Sequence, residues 1–151
     1  MKTKTLLIML CIFCSSAGFA QNKLFDRYAE MDNVTSVYIS KTMFRMMSNI
    51  EKVGVNMMNL KGKIESLQLV TAENKERTVQ MKRDFTQLVS SNHEELMRVK
   101  DKDSNIRFYA DMRGELIKEL VMLIDGSNNY TAILLTGNFT IKDIQDFVEE
   151  N

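Results

Sequence analysis

The chain has 151 residues, of which 44% are hydrophobic and 26% are charged, and its 20 basic residues balance 20 acidic ones. This composition is typical of one ordinary globular domain and excludes a largely disordered chain. The charge balance lacks the basic excess that is the usual footprint of nucleic-acid binding, so we expect no nucleic-acid partner.

The first twenty residues have the layout of a secretory signal peptide. Lys2 and Lys4 form a positive start, an unbroken apolar run follows at 6–13, and small residues complete the segment. The apolar run is shorter than the roughly 20 residues that span a bilayer as a helix. We therefore predict that residues 1–20 are a signal peptide and that 21–151 form a single α+β domain without a transmembrane segment. The protein is expected to be exported, to the periplasm or the extracellular space.

Both cysteines of the chain, Cys11 and Cys14, lie inside this segment. Cleavage after Ala20 would remove them, so the mature domain is expected to have no disulfide, no cysteine metal site and no cysteine nucleophile. A lipid anchor on Cys14 is the alternative, but it is disfavoured because Phe13 stands where a lipidation site takes a small residue. Cleavage also removes two lysines, which leaves 18 basic residues against 20 acidic ones.

The first half of the mature chain alternates between helical and strand patterns. Apolar residues at helical spacing predict a short helix within 21–33, and 34–40 is rich in β-branched and aromatic residues, which predicts a strand. A second helix is predicted at 40–50 from apolar residues spaced three or four apart. They are Met43, Met46, Met47 and Ile50. Residues 51–62 show no clear pattern.

A second strand is predicted at 64–70, and the longest helix follows at 72–90 with Thr71 as its N-cap. The chain then changes to alternating periodicity, and four further strands are predicted. They cover 95–100, 106–111, 116–124 and 130–136. In the strand at 106–111, Ile106, Phe108 and Ala110 alternate with polar neighbours, so one face of this strand is expected to lie in water.

The connections between these four strands are short, as in an antiparallel meander. The last two of these strands, at 116–124 and 130–136, carry runs that are apolar on both faces. We therefore expect them at the centre of the sheet or covered on both sides. Thr140 and Asp143 resemble a capping box ahead of a last amphipathic helix. The predicted order is βαβα-ββββ-α after a short first helix. This is an α+β two-layer sandwich with helices on one face of a mainly antiparallel sheet.

Methionine is the compositional anomaly, since ten methionines remain after residue 20. Five of them lie close together in the chain. They are Met43, Met46, Met47, Met57 and Met58. Core packing explains their helical spacing, whereas a flexible, polarizable side chain also suits an adaptable partner-binding face or a soft metal ion. We take these five as the candidate partner-binding face.

The sequence contains few of the residue patterns that form common enzyme sites. His93 is the single histidine and is expected to be a solvated loop residue, and the isolated glycines form no phosphate-binding loop. We identify no catalytic, cofactor-binding or metal-ligating residue. A carboxylate-based hydrolase site assembled from Glu94, Glu95 and Asp111 is the alternative that stays open.

Four stretches together resemble a known family. They are DNVTSVYISKTMF at 32–44, IESLQLVT at 64–71, EELMRVKD at 94–101 and LTGNFT at 135–140. In this order they are similar to domain-of-unknown-function family 4252, small exported proteins of Bacteroides-type bacteria. The resemblance implies one domain in an envelope or extracellular location, and it supplies no catalytic residue.

The sequence therefore favours a non-enzymatic binding or regulatory module of the bacterial cell envelope, with an unidentified protein partner and no cofactor. The carboxylate-based enzyme is one alternative. A self-associating structural protein that uses an edge strand or the methionine-bearing helix is another, so a homo-oligomer is possible.

Overall fold

The structure is a computed structural model that describes residues 19–46 and 62–149. In these ranges the chain forms four helices: α1 Phe19–Ala29, α2 Lys41–Met46, α3 Lys75–Asn92 and α4 Ile141–Glu149. It also forms six strands: β1 Val34–Ser40, β2 Ile64–Ala72, β3 Glu94–Lys100, β4 Ser104–Arg113, β5 Leu116–Gly126 and β6 Tyr130–Phe139. The predicted signal peptide lies outside these ranges, apart from its last two residues, which begin α1.

The strands form one sheet in the order β1-β2-β6-β5-β4-β3, and every neighbouring pair is antiparallel. The last four strands are the predicted meander, and Gly114 makes the turn between β4 and β5 with a φ of 64° that favours glycine. The α+β class, the element order and the antiparallel sheet are all confirmed. So is the interior position of β5 and β6.

The larger core lies between one face of the sheet and the helices α1 and α3. Phe25 and Tyr28 of α1 and Phe85 of α3 pack there against β2, β4, β5 and β6. The rings of Phe25 and Phe85 meet edge to face with centroids 4.9 Å apart. These aromatic side chains hold the two longest helices on the same face.

A smaller core lies on the opposite face, at one end of the sheet. Consecutive residues of one strand divide between the two cores, as Leu134 and Leu135 of β6 do. Because successive side chains of a strand point to opposite faces, the two cores lie on opposite sides. Phe44 of α2 and Ile144 of α4 belong to the smaller core, so the two short helices cover part of the second face, and the predicted placement of helices on one face holds for α1 and α3 alone.

The longest helix begins later than predicted, and the prediction that Thr71 caps it is wrong. Asn74 is the N-cap, since its Oδ1 accepts hydrogen bonds from the backbone N–H groups of Glu76 at 2.9 Å and Arg77 at 3.3 Å. Thr71 lies within β2 instead, and its hydroxyl is 2.7 Å from that of Thr131 in β6. Pairing with β6 extends β2 past the point where local sequence would begin a helix.

Candidate binding face

One row of six side chains crosses the whole sheet, with one residue from each strand. Each residue is the direct antiparallel partner of the next, and all six are apolar. In sheet order they are Val37, Leu69, Ile133, Met122, Phe108 and Met97. Direct partners have their side chains on the same face, so these six form a continuous band that we call the apolar row.

The next row along the same face is also free of charge. In sheet order it consists of Thr35, Thr71, Thr131, Ile124, Ile106 and Val99. The hydroxyls of Thr71 and Thr131 form a hydrogen bond with each other, which satisfies part of their hydrogen-bonding capacity within the sheet. We call this second set the outer row, and the two rows together the open face.

No described helix packs on the open face. On the side of the apolar row away from the outer row, the next row contains Leu135 and Leu120 and belongs to the smaller core under α2 and α4. Neither core contains a residue of the apolar row itself. At the two edges of the sheet, Val37 is 44% exposed and Val99 is 43% exposed, whereas Phe108 within the apolar row is only 7% exposed. Six strands about 4.8 Å apart and two rows of side chains give a patch on the order of 300 Å².

The predicted methionine face is described only in part, since Met47, Met57 and Met58 lie outside the described ranges. Met43 and Met46 lie on α2 and are 47% and 71% exposed, so they are available to a partner. The interpretation of these two as core residues is wrong. Phe44 is the residue of α2 that enters the core, which turns the helix by one position from the orientation that the methionine spacing suggests.

The three carboxylates of the alternative enzyme site do not share one face of the sheet, because Asp111 lies two residues after Tyr109 on the face of Glu95 and Glu94 lies on the other. Glu94 pairs with Ala110 and Glu95 with Tyr109, so these two consecutive side chains lie on opposite faces of the sheet. The carboxylate of Glu95 is bound by Arg98, with Nη2 of Arg98 2.9 Å from Oε1. Among the described residues there is also no group of three potential metal ligands.

His93 is not the solvated residue that the sequence suggested. Its side chain is fully buried, and its Nε2 lies 3.8 Å from Oε2 of Glu119. The residue sits where α3 ends and β3 begins, so its ring enters the body of the protein beside β5. The prediction of exposure rested only on the position of His93 in a connection. Because the chain passes directly from α3 to β3 there, the ring is placed in the interior instead.

A groove of about 420 Å³ lies between α1 and the first two strands, and its lining includes Phe25, Asp26, Tyr38 and Gln68. Nε2 of Gln68 donates to Oδ1 of Asp26 at 3.0 Å. Asp26 is the single carboxylate in this lining, and it is already engaged in that hydrogen bond. The described residues of this lining therefore offer one engaged carboxylate and no second acidic or basic side chain.

The fold defines a class of protein: a small α+β domain in which long helices cover one face of an antiparallel sheet and, in the part of the chain that the structure describes, the opposite face carries an apolar band. The chain belongs to the family described as domain of unknown function DUF4252, whose model matches residues 28–147. No curated protein and no solved structure matches it. None of the described helices has the length and apolar character needed to cross a membrane.

Proposed function

We propose that this protein is a non-enzymatic binding module of the bacterial cell envelope, and that a protein partner binds to the open face. The observation that carries the proposal is the apolar row, in which six apolar side chains follow one another across six strands. Contiguous exposed apolar patches of a few hundred Å² on soluble monomers are often interaction sites.

The chemistry of the face favours a protein over a small polar ligand. The centres of protein interfaces are depleted in charge and enriched in methionine and aromatic residues, and the apolar row contains Met97, Phe108 and Met122 without a charge. At about 25 cal/mol per Å², complete burial of this footprint would contribute at most ~7 kcal/mol, because Phe108 is only 7% exposed before any partner binds. Association costs a comparable amount, so the partner must also contact neighbouring surface. The helix α2, which packs on the adjoining smaller core, exposes Met43 and Met46.

The envelope location rests on the first twenty residues. Their positive start and short apolar run support export, and the family resemblance agrees with it. Mass spectrometry of the natively produced protein tests this part, and we expect a chain that begins near Gln21. An intact Met1, or a lipid on Cys14, would contradict it.

Photo-crosslinking in the cell tests the binding face. A photoreactive residue placed at Met122, in the middle of the apolar row, should give a discrete adduct with another envelope protein. Val79 on α3 is the matched control, because it is an apolar residue that is 65% exposed and lies on the opposite side of the molecule. The same probe at Val79 should give no such adduct.

A second substitution shows whether the adduct depends on the face itself. Ile133 pairs directly with Met122, so Ile133→Lys puts a charge beside the probe and should abolish the adduct while the protein stays folded by circular dichroism. Equal adducts from positions 122 and 79, or no adduct from 122 under any growth condition tried, would count against the proposal.

A further inference from the structure

The two edges of the sheet differ in how they are protected. β1 forms one edge and β3 the other, and in the described part of the chain neither has a strand on its outer side. An edge strand presents unpaired N–H and C=O groups that can pair with another strand. Proteins usually block such pairing with charged side chains, bulges or prolines.

β3 carries two of these protective features. Four of its seven residues are charged, namely Glu94, Glu95, Arg98 and Lys100. Its pairing with β4 also shifts between Glu95 and Met97, which indicates a bulge that disturbs the edge. This edge is poorly suited to accept another strand.

β1 carries none of them. Its sequence, VTSVYIS, contains no charge, proline or glycine, and its register with β2 is unbroken from Val34 to Ser40. Its middle is exposed, with Val37 at 44% and Tyr38 at 64%. The strand is also rich in the β-branched and aromatic residues that favour extended pairing.

We propose that β1 pairs antiparallel with β1 of a second copy of this chain, so that the two sheets join edge to edge. A two-fold interface brings each surface against itself, and it therefore suits a strand that has no charge to repel its own copy. With the axis at Val37, this residue meets its own copy and Thr35 meets Ile39. Both contacts join β-branched or apolar side chains on the same face.

The protected edge determines the size of the assembly. If both edges could pair, copies would add without limit, whereas one unprotected edge closes the association at two. The expected species is thus a dimer and not a fibre. This inference concerns the edge of β1 and does not require a partner on the open face, although Val37 belongs to both surfaces.

Sedimentation velocity of the full-length gene product, purified from expressing cells, tests the proposal over a range of concentrations. We expect a monomer–dimer equilibrium and no larger species. Val37→Lys should raise the dissociation constant at least about tenfold, equivalent to ~1.4 kcal/mol, because like charges would lie directly opposite each other. Val99→Lys is the matched control, since Val99 is 43% exposed on the other edge strand and also lies on the open face. It should leave the equilibrium unchanged.

Mixing experiments make the test specific to β1. Val37→Glu alone should also weaken the dimer, and an equimolar mixture of Val37→Lys and Val37→Glu should restore it. A wild-type protein that stays monomeric at every soluble concentration overturns the proposal, even if a variant fails to fold. Equal weakening by Val37→Lys and Val99→Lys would overturn it too, because association would then proceed through the open face.

Discussion

Tyr28 of α1 donates its phenolic hydroxyl to Oδ2 of Asp84 on α3 at 2.7 Å, and this bond joins the two longest helices above their shared core. The tyrosine is fully buried. Asp84 also accepts hydrogen bonds from Arg27 at 2.8 Å and Arg83 at 3.1 Å. Burial acts to raise the pKa of Asp84, but hydrogen bonds from Tyr28 and Arg83 and the nearby positive charges outweigh it and lower the pKa.

Removing this hydroxyl should destabilise the fold without disturbing the aromatic packing. We expect Tyr28→Phe to lower the free energy of unfolding by ~1.5 kcal/mol at neutral pH, since hydrogen bonds to charged groups are among the stronger ones. Urea denaturation followed by circular dichroism measures the change. Tyr38→Phe is the matched control and should change stability by less than about 0.5 kcal/mol, because that side chain is 64% exposed. Equal losses in the two variants would contradict this account.

The same tyrosine should make stability depend on pH in the alkaline range. Burial, with the hydrogen bond to Asp84, raises the pKa of Tyr28 from 10.0 to about 12. A raised pKa means that the fold favours the neutral phenol, so its contribution is complete below pH 10 and is lost as the pH rises from 10 to 12. The unfolding free energy of the wild type should therefore fall more steeply over this window than that of Tyr28→Phe. Parallel curves would show that Tyr28 titrates as it does in the unfolded chain.

Most of the fold could be predicted from the sequence because each element carries its own local signal. The strand at 34–40 was predicted with the bounds that β1 has. The boundary between β2 and α3 could not be predicted, because it depends on pairing between Thr71 and Thr131, which are 60 residues apart. The local preference of Thr71 for an N-cap position is outweighed by its pairing with β6, a strand that comes close to it only in the folded chain.

The open face could be predicted only in part. Alternation in β4 correctly separates Phe108 from Tyr109, and it predicts that one face of that strand lies in water. Tyr109 packs in the larger core and is 8% exposed, while Phe108 lies in the apolar row on the other face and is 7% exposed. Alternation of apolar and polar residues shows that a strand has two different faces, but it does not show which of the two faces a helix covers. That choice depends on where α1 and α3 pack.

The capping box at the start of α4 was predicted and is present. The backbone N–H of Thr140 donates to Oδ2 of Asp143 at 2.7 Å, and the N–H of Asp143 donates to Oγ1 of Thr140 at 3.2 Å. Thr140→Ala should lower the unfolding free energy by about 1 kcal/mol. Lys63→Met should cost less, because the ion pair of Lys63 with Asp143, although 2.5 Å long, is partly exposed and screened by solvent. Thermal unfolding of both variants ranks the two effects, and the reverse order would contradict the capping account.

Among the glycines that the structure describes, Gly137 in β6 is the one whose replacement should cost most. A Cβ at this position would lie 2.1 Å from the carbonyl oxygen of Lys63 and 2.7 Å from the ring of Phe139, so backbone must move to admit it. Gly137→Ala should lower the unfolding free energy by ~1–3 kcal/mol or more, as overpacking of a filled site does.

Gly62 provides the matched control for that substitution, because it lies next to Lys63 in the chain and a Cβ there meets nothing within 4 Å. Gly62→Ala should be neutral or should stabilise by up to about 1 kcal/mol, since alanine restricts the unfolded chain more than glycine does. Urea denaturation of both variants measures the difference. A Gly137→Ala protein as stable as Gly62→Ala would show that β6 and the segment around Lys63 do not approach as closely in solution.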